Sequence, residues 1–183
     1  KPAPKLATAL FYGIKTDTHN FLRNTISNDI EAFRYLYEHA NLNIIKKIES
    51  SELTKRNIPD FKAAMGKLAF INQTAFVHMG NVDNADTLVI LADFFMKMAE
   101  ATWSIVSGVL DMKLVVVYRN AGFRRNAGKL AKMMFGNHGS AGGHKSTARA
   151  EIEINNLDLN SKKQADIERY VLKRIKQARQ DLI

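Results

Sequence analysis

Cysteine is absent from the 183 residues, which excludes a disulfide framework, iron–sulfur clusters, a cysteine nucleophile and thiolate zinc, and fits a reducing compartment. The expectation is a cytoplasmic protein. Proline is scarce, with three residues in all, and two of them stand in the opening Lys1-Pro2-Ala3-Pro4. That opening has no initiator Met, no apolar core segment and no small-residue cleavage site, so it reads as a cut inside a longer protein rather than as a signal peptide. Long apolar runs are also missing. The longest, such as Leu88 to Ala92 and Leu114 to Val117, fall far short of the ~18 residues of a membrane span, and no membrane association is expected.

The most local absence is of acid. From Lys113 to Arg149 there is no Asp or Glu, while Lys113, Arg119, Arg124, Arg125, Lys129, Lys132, Lys145 and Arg149 all carry positive charge. The whole chain holds 27 Lys+Arg against 18 Asp+Glu, a net +9, so this window contains most of the excess. Either it is a field arranged for an anion, such as a phosphate, a nucleotide or a nucleic acid, or it is one lysine-rich face of a basic protein. A second cationic stretch, Lys162 to Arg179, includes Asp166 and Glu168 and reads as a solvated helix face.

With 46% apolar and 25% charged residues, the composition is globular, and a chain of this size buries about 70% of its unfolded surface. Residues 29–40 read as a helix behind an N-cap, with Ile30, Phe33, Leu36, Tyr37 and Ala40 at helical intervals. Residues 41–67 are polar, broken by Pro59, and hold at most two short helices. Strand character then begins: 68–79 as one strand, 83–100 as a helix, 104–109 and 113–118 as a hairpin of two buried strands, 126–135 as a helix and 146–154 as an alternating strand. A last helix, entered at Ser161 with capping-box spacing to Gln164, has Ile167, Tyr170, Val171, Ile175 and Ala178 on one face. The expected fold class is α/β, a mixed β-sheet flanked by helices and preceded by a mainly helical part. The expected organisation is 1–50, a connector at 51–65, and 66–183.

Two segments could carry chemistry. Residues 136–147, Gly-Asn-His-Gly-Ser-Ala-Gly-Gly-His-Lys-Ser-Thr, hold four glycines between a helix and a strand. Such a loop can turn consecutive amides into an anion-binding nest, here beside His144 and Lys145, or it can be a flexible loop with no ligand. It is not a P-loop, because His144 separates Gly143 from Lys145. Nor is it a dinucleotide fingerprint, which follows a strand and opens a helix. The other segment is Phe11-Tyr12-Gly13-Ile14-Lys15-Thr16-Asp17-Thr18, where Asp17 after an apolar run can equally be a turn or cap residue. Tyr118, Phe123 and Phe135 border the basic window and either stack on bases or pack in the core. The histidines 19, 39, 78 and 138 show no metal-ligand spacing.

As an ordered pair, Gly13-Ile14-Lys15-Thr16-Asp17-Thr18 and Gly142-Gly143-His144 resemble the DHH family of phosphoesterases. That family includes RecJ-like exonucleases, nano-RNases, cyclic-dinucleotide phosphodiesterases and exopolyphosphatases. The resemblance covers about residues 6–25 and 69–155. It implies that 1–50 is the C-terminal tail of the catalytic domain and 66–183 the DHH-associated substrate-binding domain. It assigns Asp17 to a two-manganese (Mn2+) centre, and Gly142, Gly143 and His144 to the substrate phosphate. Arg119 stands where such domains carry a substrate-contacting arginine, and Arg124, Arg125 and Lys145 would steer the substrate. Implied partners are a nucleotide, an oligonucleotide or a cyclic dinucleotide, with single-stranded nucleic acid and a homodimer left open. The family's Asp-x-Asp and Asp-His-His motifs do not occur here, so no complete catalytic set lies in this chain. Alone it is expected to bind phosphates weakly and to turn over little or nothing, while the parent protein would be a hydrolase. The sequence also departs from the family at Thr147-Ala148-Arg149-Ala150, where the usual tail is Ala-Ala-Gly-like, and the role of Arg149 stays open. The alternatives are a non-catalytic nucleic-acid or nucleotide-binding module and a purely structural domain.

Overall fold

A computed structural model describes residues 1–22, 25–50, 53–121, 125–159 and 161–180, with backbone alone at 179 and 180. The chain divides into two compact units, Lys1–Lys55 and Arg56–Ile183.

The first unit is helical: α1 (Pro4–Asp17), α2 (Ser27–Tyr37) and α3 (Leu42–Glu49). Pro4 opens α1, where its missing amide costs nothing. The Asp29 carboxylate accepts from the Ile26 amide at 3.0 Å, and this places the start of α2 two residues ahead of the expected one. Ala7, Phe11, Leu36 and Ile45 form its small core, with Phe11 stacked on Phe33 at 4.1 Å between ring centroids. The Thr8 hydroxyl donates to the Pro4 carbonyl and accepts from the Asn41 amide, tying α1 to the start of α3.

The second unit begins with α4 (Ile58–Lys67), followed by β1 (Ala69–Ile71), β2 (Thr74–Asn81), α5 (Ala85–Phe95), β3 (Trp103–Leu110), β4 (Lys113–Asn120), α6 (Ala127–Phe135), β5 (Ser140–Gly143), β6 (Thr147–Glu153) and α7 (Gln164–Gln180). The strands make one mixed sheet in the order β1-β2-β3-β4-β6-β5. β2 and β3 are parallel, and α5 supplies the crossover that a parallel pair requires. The other pairs are antiparallel.

Two sequence expectations are corrected here. Residues 68–79 are not one strand: Asn72, at φ 52, turns the chain so that β1 folds back on β2. The glycine-rich segment is not a loop throughout, because Ser140–Gly143 pairs with β6 as an edge strand.

Each face of the sheet has its own core. On one face Trp103, Ile105, Leu114, Val116 and Tyr118 pack under α6 and α7. On the other Val77, Val106, Val115 and Val117 pack under α4 and α5. β3 and β4 are therefore buried on both sides, which explains their unbroken valine-rich runs. β6 is covered on one side only. Ala148, Ala150 and Ile152 belong to the α6/α7 core, and Arg149 and Glu153 in alternation with them are exposed. No helix among the described residues is long and apolar enough to cross a membrane.

Candidate phosphate-binding face

The bare margin of the sheet lies where β6 and β5 extend past the cover of α5. Strand register brings together there several residues that are far apart in sequence. Arg119 on β4 is opposite Thr147 on β6, and the His144 amide donates to the Thr147 carbonyl at 2.8 Å. Arg119 on β4, Thr147 on β6 and His144 just past the end of β5 thus occupy one row. In the next row Arg149 is opposite Gly142 on one side and Val117 on the other. Tyr118 belongs to the α6/α7 core, so its neighbour Arg119 belongs to the opposite face, as alternation requires.

Arg119 is held in place. Its Nε donates to Asp93 Oδ1 at 2.6 Å, Nη2 to Asp93 Oδ2 at 3.3 Å and Nη1 to the Tyr118 carbonyl at 3.2 Å. Asp93 lies near the end of α5. The guanidinium side chain is 17% exposed, and this fork-on-carboxylate geometry fixes its plane while leaving donor hydrogens over. Arg149 pairs with Glu151 on its own strand at 2.7 Å. His144 and Lys145 are exposed.

The glycines divide by role. A Cβ on Gly142 would meet nothing within 4 Å, so the space over the second row is open. A Cβ on Gly143 would lie 2.4 Å from the Thr147 carbonyl oxygen, and its φ of 151 is one that side chains avoid. A Cβ on Gly128 would lie 2.3 Å from the Gly143 carbonyl oxygen. Gly128 is therefore required for α6 to approach β5, and Gly143 for the end of β5 to lie against Thr147 and Ala148 of β6.

The expected amide nest is not what this segment forms. The amides of Gly136, His138, Gly139 and His144 bond to carbonyls of their own chain, and Gly142 and Gly143 belong to the β5–β6 ladder. The polarity even runs the other way at the turn, where the His144 and Lys145 carbonyls accept from the Gly128 and Ala127 amides at 2.9 Å. The turn caps α6, so the anion-binding capacity of this face rests on side chains.

Other expected site residues fall elsewhere. Arg125 does not join the rows. It lines a small cleft with Trp103, Leu130 and Ile175 on the α6/α7 side. Arg124 and Phe123 lie outside the described residues. Tyr118 and Phe135 are wholly buried, and burial pushes the Tyr118 hydroxyl well above the usual tyrosine range. Neither can stack on a base. Asp17 is the last residue of α1, with Thr18 as its C-cap. Among the described residues no group of three His, Asp or Glu side chains could hold a metal ion. The residues present do not fit a two-manganese centre by themselves.

Asp93, Thr147 and the placement of Arg149 escaped sequence reasoning as parts of this face. Asp93 is one acid in an amphipathic helix, and no local motif marks it. A usable signal is its position near the end of the crossover helix, from which a carboxylate can reach the end of a neighbouring strand.

No protein-family model matches the chain. Over 166 residues, 90% of its length, it is 32% identical to an uncharacterized protein of Methanocaldococcus jannaschii, of which it covers 34%. Among solved structures it is similar to an exopolyphosphatase-related protein from Bacteroides fragilis, with a TM-score of 0.72 at 12% identity, covering 96% of this chain and 50% of that one. A pGpG-specific phosphodiesterase from Vibrio cholerae has a TM-score of 0.46 at 17% identity, over 93% of this chain and 57% of that one. The chain thus spans about a third of its curated relative and half of the Bacteroides chain. At such identities the likeness to the Bacteroides protein is one of fold alone.

Proposed function

We propose that this chain supplies the substrate-binding part of a phosphoesterase, and that the row of His144, Thr147 and Arg119 holds the phosphate of a nucleotide or short oligonucleotide. The observation that carries the reading is the register of β4, β6 and β5, which aligns an exposed imidazole, a hydroxyl and an oriented guanidinium beside the open space over Gly142. A phosphate needs several donors converging on it, and charge-assisted ones bind about twice as strongly as neutral ones. Lys145 at the turn adds positive potential without a fixed geometry. The shared fold with an exopolyphosphatase-related protein supports a phosphate-bearing substrate.

In this reading Asp17 is one manganese ligand of a longer protein, and the remaining ligands come from outside the described residues. The absence of a ligand group here also favours a second reading, a module that binds nucleotides without cleaving them.

Calorimetry with AMP and adenosine tests the binding face directly. AMP is expected to bind and adenosine to bind far more weakly, and His144→Ala is expected to weaken AMP about tenfold, the loss of roughly one charge-assisted bond. Equal affinity for AMP and adenosine refutes the reading. Incubation of the chain with manganese and a short oligonucleotide separates enzyme part from complete enzyme. No cleavage is expected, and cleavage abolished by Asp17→Ala would contradict the assignment of the missing ligands to residues elsewhere.

A further inference from the structure

The second cationic stretch is not an isolated solvated face. α6 and α7 lie side by side on the sheet and run antiparallel: Phe135 lies near Tyr170, with 6.4 Å between ring centroids, and Leu130 and Met134 share a cleft with Ile175. α7 buries Ile167, Val171, Ile175 and Ala178 in the sheet core. Its opposite side therefore presents Arg169, Lys173 and Lys176, one cation for about each turn. α6 buries Ala127, Leu130, Ala131 and Met134 and exposes Lys129 and Lys132.

Acid is nearly absent from this layer. α6 has none, and α7 has none after Glu168 as far as Gln180. Asp166 pairs with Arg169 at 3.0 Å at one end of α7, and Asp158 lies 3.4 Å from His138. Among the described residues no carboxylate lies within 4.0 Å of Lys129, Lys132, Lys173, Lys176 or Lys145. Exposed, unpaired ammonium groups gathered on one side of a domain repel one another, so the arrangement is favourable chiefly when an external polyanion neutralises it.

From this geometry we infer that the outer surface of α6 and α7 is a docking surface for the phosphodiester backbone of a polynucleotide, separate from the His144–Arg119 row. The two surfaces are on opposite faces of the sheet. They meet at the β5 edge, where the Lys145 carbonyl caps the first amide of α6 at 2.9 Å. A strand lying along α6 and α7 can thus pass Lys145 and present its end to the other face. The contacts are sequence-independent. The four anchors are lysines, which act as point charges, and the nearby Tyr170 is engaged by Arg174, whose guanidinium carbon stands 5.2 Å from the ring centroid. An anionic membrane is the poorer occupant, because the apolar side of α7 is already buried and Met133 on α6 is a single exposed apolar side chain, too little to anchor in a bilayer.

The test uses the full chain and two probes: AMP by calorimetry and a 5′-phosphorylated, fluorescent single strand of ~12 nucleotides by anisotropy over a salt series. Each phosphate contact to a single strand contributes about 0.7 to the log–log salt slope. Replacing Lys129, Lys132, Lys173 and Lys176 together by Gln is expected to reduce that slope by about 2 to 3, to weaken the strand at least about tenfold, and to leave AMP affinity unchanged. The same four positions as Arg should restore the slope. His144→Ala should weaken AMP and leave the slope within about one contact of the starting protein. Failure of AMP to bind at all removes the phosphate-row reading and leaves this one standing. An unchanged slope in the Gln variant overturns the inference, as does strand binding abolished by His144→Ala alone. Tighter capture of phosphatidylserine vesicles than of the oligonucleotide overturns it in favour of a membrane.

Discussion

The two faces of the sheet use the same strands to opposite ends. Under α6 and α7 the sheet is covered out to β6, and Lys129, Lys132, Lys173 and Lys176 stand on the helices, exposed and, among the described residues, without a carboxylate partner. On the α4/α5 face the helices cover β2, β3 and β4 and leave β6 bare, and there the cations are on the strands and paired, Arg119 with Asp93 and Arg149 with Glu151. A paired, half-buried arginine has a defined direction, whereas a free lysine supplies only potential. The first arrangement suits a ligand of defined shape, and the second a long anion of no particular sequence.

The sharpest way to break this comparison is at Gly128, the glycine that lets α6 approach the bare margin. Gly128→Ala places a methyl against the Gly143 carbonyl at 2.3 Å, and backbone on both sides leaves no flexible group to yield. A loss of about 3 kcal/mol or more is expected, combining overpacking with backbone strain, and a thermal or urea melt reads it. Gly142→Ala is the control two strands of argument share: it meets nothing within 4 Å. Its stability should change by less than about 0.5 kcal/mol while AMP affinity falls, since the methyl enters the open space.

Arg119→Lys addresses the orientation itself. An ammonium keeps the charge but not the fork that grips both Asp93 oxygens, so AMP should weaken about tenfold, nearly as far as with Arg119→Ala. Because Asp93 is largely exposed, its side chain at 55%, the stability cost of losing the pair is expected to stay within about 1 kcal/mol. AMP affinity equal to that of the starting protein would mean that charge alone suffices and would erase the distinction between the faces.

The smallest effect concerns acid. His78 is buried, with Nδ1 2.9 Å from Ser107 Oγ and Nε2 3.1 Å from Gln164 Oε1. Burial lowers its pKa, and the nearby Lys67 ammonium acts in the same direction, while the Gln164 bond and Glu168 oppose it. The unfolded chain then takes up a proton near the ordinary value of 6.5, before the folded one does. Stability is complete above that pH and declines as pH falls through and below it. Melting temperatures measured down this range should drop less steeply for His78→Gln, and identical slopes would show that His78 contributes nothing to the acid response.

Much of this was legible beforehand. The valine-rich runs of β3 and β4 announced buried strands, and the periodicities of α2, α6 and α7 announced helices. Three things were not. The β1–β2 turn depends on Asn72 adopting a left-handed conformation, and the strand-forming residues on both sides hid it. Residues 140–143 looked like loop because glycine has low strand preference, yet pairing with β6 outweighs that preference. Gln164, expected to close a capping box, instead reaches His78, a partner 86 residues away, which no local pattern could specify.

Composition and periodicity alone determined that the chain is globular, basic and built of helices around a sheet, because those properties follow from how much apolar surface is present and at what interval. Which cations face together was decided only by tertiary structure. Strand register and helix packing align residues 25 or more positions apart, as with Arg119 and His144 in one row and Lys132 and Lys173 in one layer. Such alignment comes from hydrogen-bonded ladders and shared cores between distant segments, and a linear reading contains charge without direction.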